Sequence, residues 1–134
     1  MKKIIAFLAL VIFDVCFWVY QVDYNIHQLN LYKLKFAAQE AAASGAQMIN
    51  FFNHGLGGIV FDSDEVNKAV RQSLVENLNL NSSDLSFDSK SYWRGVCNYS
   101  VNIYNYNNVP GSYFDHETGF SKVITRPCVV VKVD

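Results

Sequence analysis

Apolar residues run unbroken from Ile4 to Phe13, stop once at Asp14, and resume through Val15-Cys-Phe-Trp-Val-Tyr20. The span from Ile4 to Val22 is 19 residues, or about 28 Å of helix, close to the roughly 30 Å of a bilayer's hydrocarbon core. Beyond it the pattern opens into three- and four-residue steps: Leu31, Leu34, Ala38, Ala41, Ala42, Gly45, Met48, Ile49 and Phe52. Proline is absent from this region, and Phe36–Ala46 is rich in alanine, the best helix former. The pattern predicts one continuous or gently kinked helix from Ile4 to about Asn53, roughly 75 Å long, whose first third lies in lipid and whose remainder projects beyond it. Gly55-Leu-Gly-Gly58 is expected to end it.

A second amphipathic helix is expected from Asp62, a side chain suited to an N-cap, with Glu65 three residues on as in a capping box. Its buried stripe is Val66, Ala69, Val70, Ser73, Leu74 and Leu78, and its end falls near Asn77. Strand patterning follows. Cys97, Tyr99, Val101 and Ile103 alternate with Asn98, Ser100 and Asn102, the period of a half-buried strand. Asn107 through Gly119 reads as a long connection. Lys122–Val133 returns as strand, with Pro127 marking an edge, a bulge or a break into two, and Leu85-Ser-Phe87 offers a further short strand. The expected fold class is α+β: a long N-terminal helix, a second helix and a small antiparallel sheet. The expected division is a basic start (1–3), a transmembrane helix (4–22), its extracytoplasmic continuation (23–54) and a small α+β domain (55–134).

Composition narrows the function. The chain has 134 residues, 51% of them apolar, which excludes intrinsic disorder, and 17% charged, below the roughly 25% of soluble domains. A net charge of −1 lacks the basic excess that nucleic-acid binding requires. Lys2 and Lys3 precede the apolar run and no further lysine or arginine occurs before Lys33, which places the N-terminus in the cytoplasm. A cleaved signal peptide competes with an anchor, but the Asp14-Val-Cys-Phe-Trp stretch offers no small-x-small cleavage site. The anchor residues are then Ile4, Phe7, Leu10, Phe13, Phe17 and Trp18. A carboxylate at Asp14 costs about 2.5–3.5 kcal/mol at mid-bilayer, so it is either protonated or shifted toward an interface, or paired with a cation of a neighbouring subunit.

Chemistry is sparse. His27, His54 and His116 stand at no metal-ligand spacing, and neither a nucleophile elbow nor a phosphate-cradling glycine loop follows a strand. No catalytic residues, metal ligands, cofactor or small-molecule substrate are therefore expected. Cys97 and Cys128 lie on expected strands in an exported domain; they are read as a disulfide closing a loop of about 30 residues, with two buried thiols as the alternative. Ala37, Ala41 and Gly45, like Ala38, Ala42 and Ala46, make a small-x-x-x-small face for another backbone, either the domain's own sheet or a neighbouring subunit's helix. Tyrosine and asparagine crowd residues 92–113, a composition suited to an interface.

A basic start, a membrane helix, the segment Ala37-Ala-Gln-Glu-Ala-Ala-Ala-Ser-Gly-Ala46, a helix like Glu65-Val-Asn-Lys-Ala-Val70 and a final strand like Pro127-Cys-Val-Val-Val-Lys-Val133 resemble the TadE/TadG-like pilin-related proteins. The resemblance implies a non-enzymatic minor pilin or assembly subunit of a tight-adherence or type IV-like system, with copies of itself or other pilin-like subunits as partners. The chain departs from prepilins in one respect: Lys3 runs straight into Ile4 without a glycine-bounded processing site, and Asp14 is the single carboxylate in the span. The other reading is a membrane-tethered sensing or ligand-binding module, and a weaker third is a secreted enzyme with a cleaved leader.

Overall fold

A computed structural model describes residues 2–50 and 58–134. It has two compact units, residues 1–33 and residues 34–134. Helix α1 spans Lys2–Ala46. Every large apolar residue from Ile4 to Val22 is exposed.

The second unit is an α+β domain. Among the described residues, the end of α1 is followed by helix α2 (Ser63–Leu78) and four strands: β1 (Tyr99–Tyr104), β2 (Gly111–Phe114), β3 (Ser121–Ile124) and β4 (Cys128–Val133). β1 pairs antiparallel with β4, and β2 with β3, as two separate two-stranded sheets. Alpha1 stops seven residues short of the expected end. Gln47, Met48 and Ile49 keep an apolar rhythm, but Met48 N–H bonds back to the Gly45 carbonyl, and Ile49 makes an antiparallel bridge with Phe61. A long-range backbone pairing thus replaces further helical turns. Of the expected terminator Gly55-Leu-Gly-Gly58 only Gly58 is among the described residues, and Phe52 and Asn53 lie outside them.

Alpha2 begins as its sequence implies. Asp62 is extended (φ −82°, ψ 109°) and its Oδ1 accepts from the N–H groups of Asp64 (3.1 Å) and Glu65 (3.2 Å), satisfying two otherwise orphaned donors. Glu65 turns to Lys68 (2.7 Å). The helix closes on Asn79 in the left-handed region, whose N–H bonds to the Val75 carbonyl. Val66, Val70, Ser73 and Leu74 are buried, and Ala69 and Leu78 half-buried.

The core joins Ala37 and Ala41 of α1 to Val66, Val70 and Leu74 of α2, with Phe61, Leu80, Cys97 and Val129 around them. Tyr99, Val101 and Ile103 of β1 and Val131 and Val133 of β4 pack against this cluster. Their even-numbered neighbours Ser100 and Asn102 are exposed, so β1 has the expected dry and wet faces.

Two strand expectations change, and the alternatives at Pro127 resolve to the break into two. The long connection after Asn107 contains β2, which forms a hairpin with β3 through a turn closed by Asp115 N–H to the Phe120 carbonyl (2.8 Å). Lys122–Val133 is two strands, broken at residues 125–127 around Pro127. Leu85-Ser-Phe87 is no full strand. It makes isolated bridges, Leu80 with Phe87 and Ser86 with Val96.

Candidate membrane and assembly interface

The first twenty-odd residues of α1 carry the most unusual surface of the molecule. Ile4 is 70% exposed, Phe13 68% and Trp18 67%, and Phe7, Leu10 and Phe17 are similarly open. Successive residues of an α-helix point about 100° apart, so the run Ile4–Phe13 is apolar around the whole circumference. A helix lying along a membrane surface keeps one polar face, whereas an all-round apolar helix is completely surrounded by lipid or protein. This helix is long and apolar enough to cross a membrane. Asp14 is exposed midway along the run and forms no ion pair among the described residues.

The small residues of α1 serve a different purpose. Ala37, Ala41 and Gly45 are buried within the domain, Ala41 completely. A Cβ added at Gly45 would sit 2.9 Å from Val70 Cγ2, 3.3 Å from Val66 Cγ1 and 3.4 Å from Val129 Cγ1. Glycine at position 45 therefore lets α1 approach α2 and β4 closely. The small-residue face is occupied by the chain's own helix and sheet, and Asp14 is the one exposed member of the residues assigned from sequence to an assembly helix.

The expected Cys97–Cys128 bridge is absent; both thiols are free, as is Cys16. The register explains why. Tyr104 pairs with Cys128 at one end of the β1–β4 ladder, whereas Cys97 lies beyond Tyr99 at the other. Seven residues of strand separate position 97 from position 104, about 23 Å at 3.3 Å per residue, far beyond the roughly 7 Å Cα limit of a disulfide. Burial pushes both thiols above their usual range, Cys97 further assisted by the Asp134 charge, which makes them poor nucleophiles.

One charged cluster escaped sequence reasoning. Lys132 on β4 bonds through Nζ to Asp115 Oδ1 (3.2 Å), Glu117 Oε2 and Asp134 Oδ1 (3.4 Å). Asp115, in the turn of the β2–β3 hairpin, is held below the usual carboxylate range by the Thr118 hydroxyl, with the Glu117 N–H and Lys132 adding to it. Lys132 is raised in turn, chiefly by Glu117. The cluster clips the hairpin turn to β4. Its signal in sequence was confined to a lysine in a valine strand, too little to name partners. His116 stacks edge-on against Phe114 (4.7 Å between ring centres) and takes no part. Among the described residues no group of three His, Cys, Asp or Glu side chains could hold a metal ion. The surface worth functional attention is therefore the exposed apolar stretch of α1. Neither the families of known proteins, nor the curated proteins, nor the solved structures yield a match to this chain.

Proposed function

We propose that this chain is a membrane-anchored, non-enzymatic assembly subunit of the TadE/TadG-like, pilin-related kind. Residues 4–22 of α1 lie in the bilayer, the N-terminus is cytoplasmic, and the α+β domain lies outside the cytoplasm. The observation that supports this reading most is the apolar circumference of Ile4–Phe13, exposed at every large side chain. Moving a large apolar side chain out of water contributes about 1.5–3 kcal/mol, so a handful of the fourteen exposed between Ile4 and Val22 outweighs the roughly 2.5–3.5 kcal/mol cost of Asp14. The same helix, entering a bundle with other copies, would bury that surface equally well, and this allows one element to serve as anchor and assembly rod. Because the domain itself uses Ala37, Ala41 and Gly45, the partner surface is assigned to Asp14 and the exposed apolar positions around it.

The test is fractionation of expressing cells followed by microscopy. The chain should stay with membranes through an alkaline carbonate wash, leave them in detergent, and be found in filaments or discrete multimers by negative-stain electron microscopy. Release by carbonate alone refutes the anchor, and a uniformly monomeric detergent extract refutes the assembly role.

A further inference from the structure

Beyond Val22 polar residues return to α1, yet Leu29 is 57% exposed, Tyr32 56% and Phe36 61%. Their spacing is regular. Val22, Asn25, Leu29, Tyr32 and Phe36 follow one another in alternating steps of three and four, the heptad spacing of a helix–helix seam. At 1.5 Å per residue the three large side chains stand about 10, 15 and 21 Å along the helix past Val22, beyond the roughly 5–7 Å of headgroups on each side of the hydrocarbon. Lipid therefore does not cover them, and protein is the remaining cover.

The domain leaves this side of the helix free. Within residues 34–46, Ala37, Ala41 and Gly45 are buried, whereas Lys35, Phe36, Gln39, Glu40 and Ala43 are exposed. At 100° per residue the two sets fall on opposite sides of α1, so a helix can lie along Phe36 without displacing α2 or β4.

The residues beside the seam specify what lies on it. In a parallel, in-register pair of helices, the residue just before one seam position reaches the residue five places further along the partner. Before Phe36 stands Lys35, and five places on stands Glu40, so Lys35 of each copy meets Glu40 of the other and the ion pair forms twice. One heptad earlier Gln28 meets Lys33, an amide oxygen against an ammonium. Among the described residues Lys33, Lys35 and Glu40 form no ion pair within the chain. Asn25 faces Asn25, and because a side-chain amide carries both donors and an acceptor, identical partners satisfy each other. Any shifted register sets that amide against an apolar side chain, which is how one polar seam residue fixes alignment.

We infer that α1 pairs in parallel with α1 of a second copy along the seam from Val22 to Phe36, held in register by Asn25 and by reciprocal Lys35–Glu40 ion pairs. The inference deepens the proposed function and rests on it in one respect: anchors entering the same membrane from the same side make the pairing parallel. It adds a contact outside the lipid to the apolar positions around Asp14.

Disulfide cross-linking of the full chain in detergent micelles tests the seam, in a Cys16→Ser background that removes the exposed natural thiol. Leu29→Cys and Tyr32→Cys each face their own copy across the seam within disulfide reach, whereas Leu31→Cys lies on a different side of the helix. Mild oxidation should give about ten times more dimer from either seam variant than from Leu31→Cys. Equal yields from all three refute the seam, and no dimer above the background chain refutes the pairing. The charges supply a second arm that touches neither the seam nor the domain core. Lys35→Glu sets like charge against Glu40 twice and should weaken dimerisation about tenfold by analytical ultracentrifugation at low salt; Lys35→Glu/Glu40→Lys should recover it. Dimerisation unchanged by Lys35→Glu, or not recovered in the double variant, overturns the parallel register. A chain that resists carbonate and is multimeric, but cross-links no better at positions 29 and 32 than at 31, loses this seam and keeps the proposed function. Release by carbonate overturns the anchor whatever the cross-links show.

Discussion

Substituting Gly45 tests the packing of the whole domain, because three side chains from two elements converge on the space where a Cβ would stand. Gly45→Ala should gain up to about 1 kcal/mol of helix propensity, less this close to the end of α1. Against this, a methyl 2.9 Å from Val70 Cγ2 is inside any normal carbon contact, and its relief is resisted by two further contacts at 3.3 and 3.4 Å. Valine has one preferred rotamer in a helix, so Val66 and Val70 cannot swing aside freely. Overpacking of this sort costs about 1–3 kcal/mol, leaving a net loss of about 1–2 kcal/mol. For a domain of this size that lowers Tm by about 4–8 °C per kcal/mol. The readout is fluorescence of Trp93 during urea or thermal unfolding of the full chain in detergent, in a Trp18→Phe background that leaves Trp93 as the sole tryptophan. Val70→Ala removes the nearest methyl, so the Gly45→Ala/Val70→Ala double variant should lose less than the sum of the singles, by about 1 kcal/mol. A neutral or stabilising Gly45→Ala, or strict additivity with Val70→Ala, would refute the close approach of α1 to α2 and β4.

Asp62→Ala removes the cap of α2 and should cost about 1 kcal/mol in the same unfolding assay, while Asp62→Asn should lose little. Alkylation of the denatured chain without reductant should label Cys97 and Cys128 fully, as read by mass spectrometry; a protected pair would contradict the strand register. Asp115 has a depressed folded pKa, so its contribution is present above the unfolded value near 4 and disappears as pH falls through the lower folded value; Lys132, raised, contributes below about pH 10 and loses that contribution at higher pH. Thermal melts should therefore show an acid loss below about pH 4 that Thr118→Val flattens most and Lys132→Met in part, and an acid limb unchanged in both variants would disprove the hold on Asp115. Asp14→Leu should strengthen membrane insertion by about 2.5–3.5 kcal/mol in a glycosylation-mapped insertion assay, and no gain would place Asp14 outside the hydrocarbon.

Alpha1 was legible because seventeen apolar positions among the nineteen of Ile4–Val22 and an alanine-rich stretch leave no other regular structure, and α2 because Asp62 and the Val66–Leu74 stripe carry both a start signal and a period. The wet and dry faces of β1 followed from alternation over seven residues. Beta2 did not: Gly111-Ser-Tyr-Phe is too short to establish a period, and its strand character comes from pairing with β3. The end of α1 failed for the opposite reason, since Met48 and Ile49 extend the helical rhythm and only the bridge to Phe61 overrides it.

The sequence by itself determined where apolar surface must be hidden: a helix hydrophobic on all sides, an amphipathic helix, and strands with one dry face. Those are local consequences of side-chain spacing, set by the 3.6- and 2-residue periods of the backbone. Tertiary structure alone decided who meets whom. It placed Cys97 and Cys128 at opposite ends of one ladder, turned the Ala37–Gly45 face inward onto α2 and β4, and brought Lys132 to Asp115 and Glu117. Register and contact depend on residues distant in sequence, and a period carries no record of which partner stands across the gap.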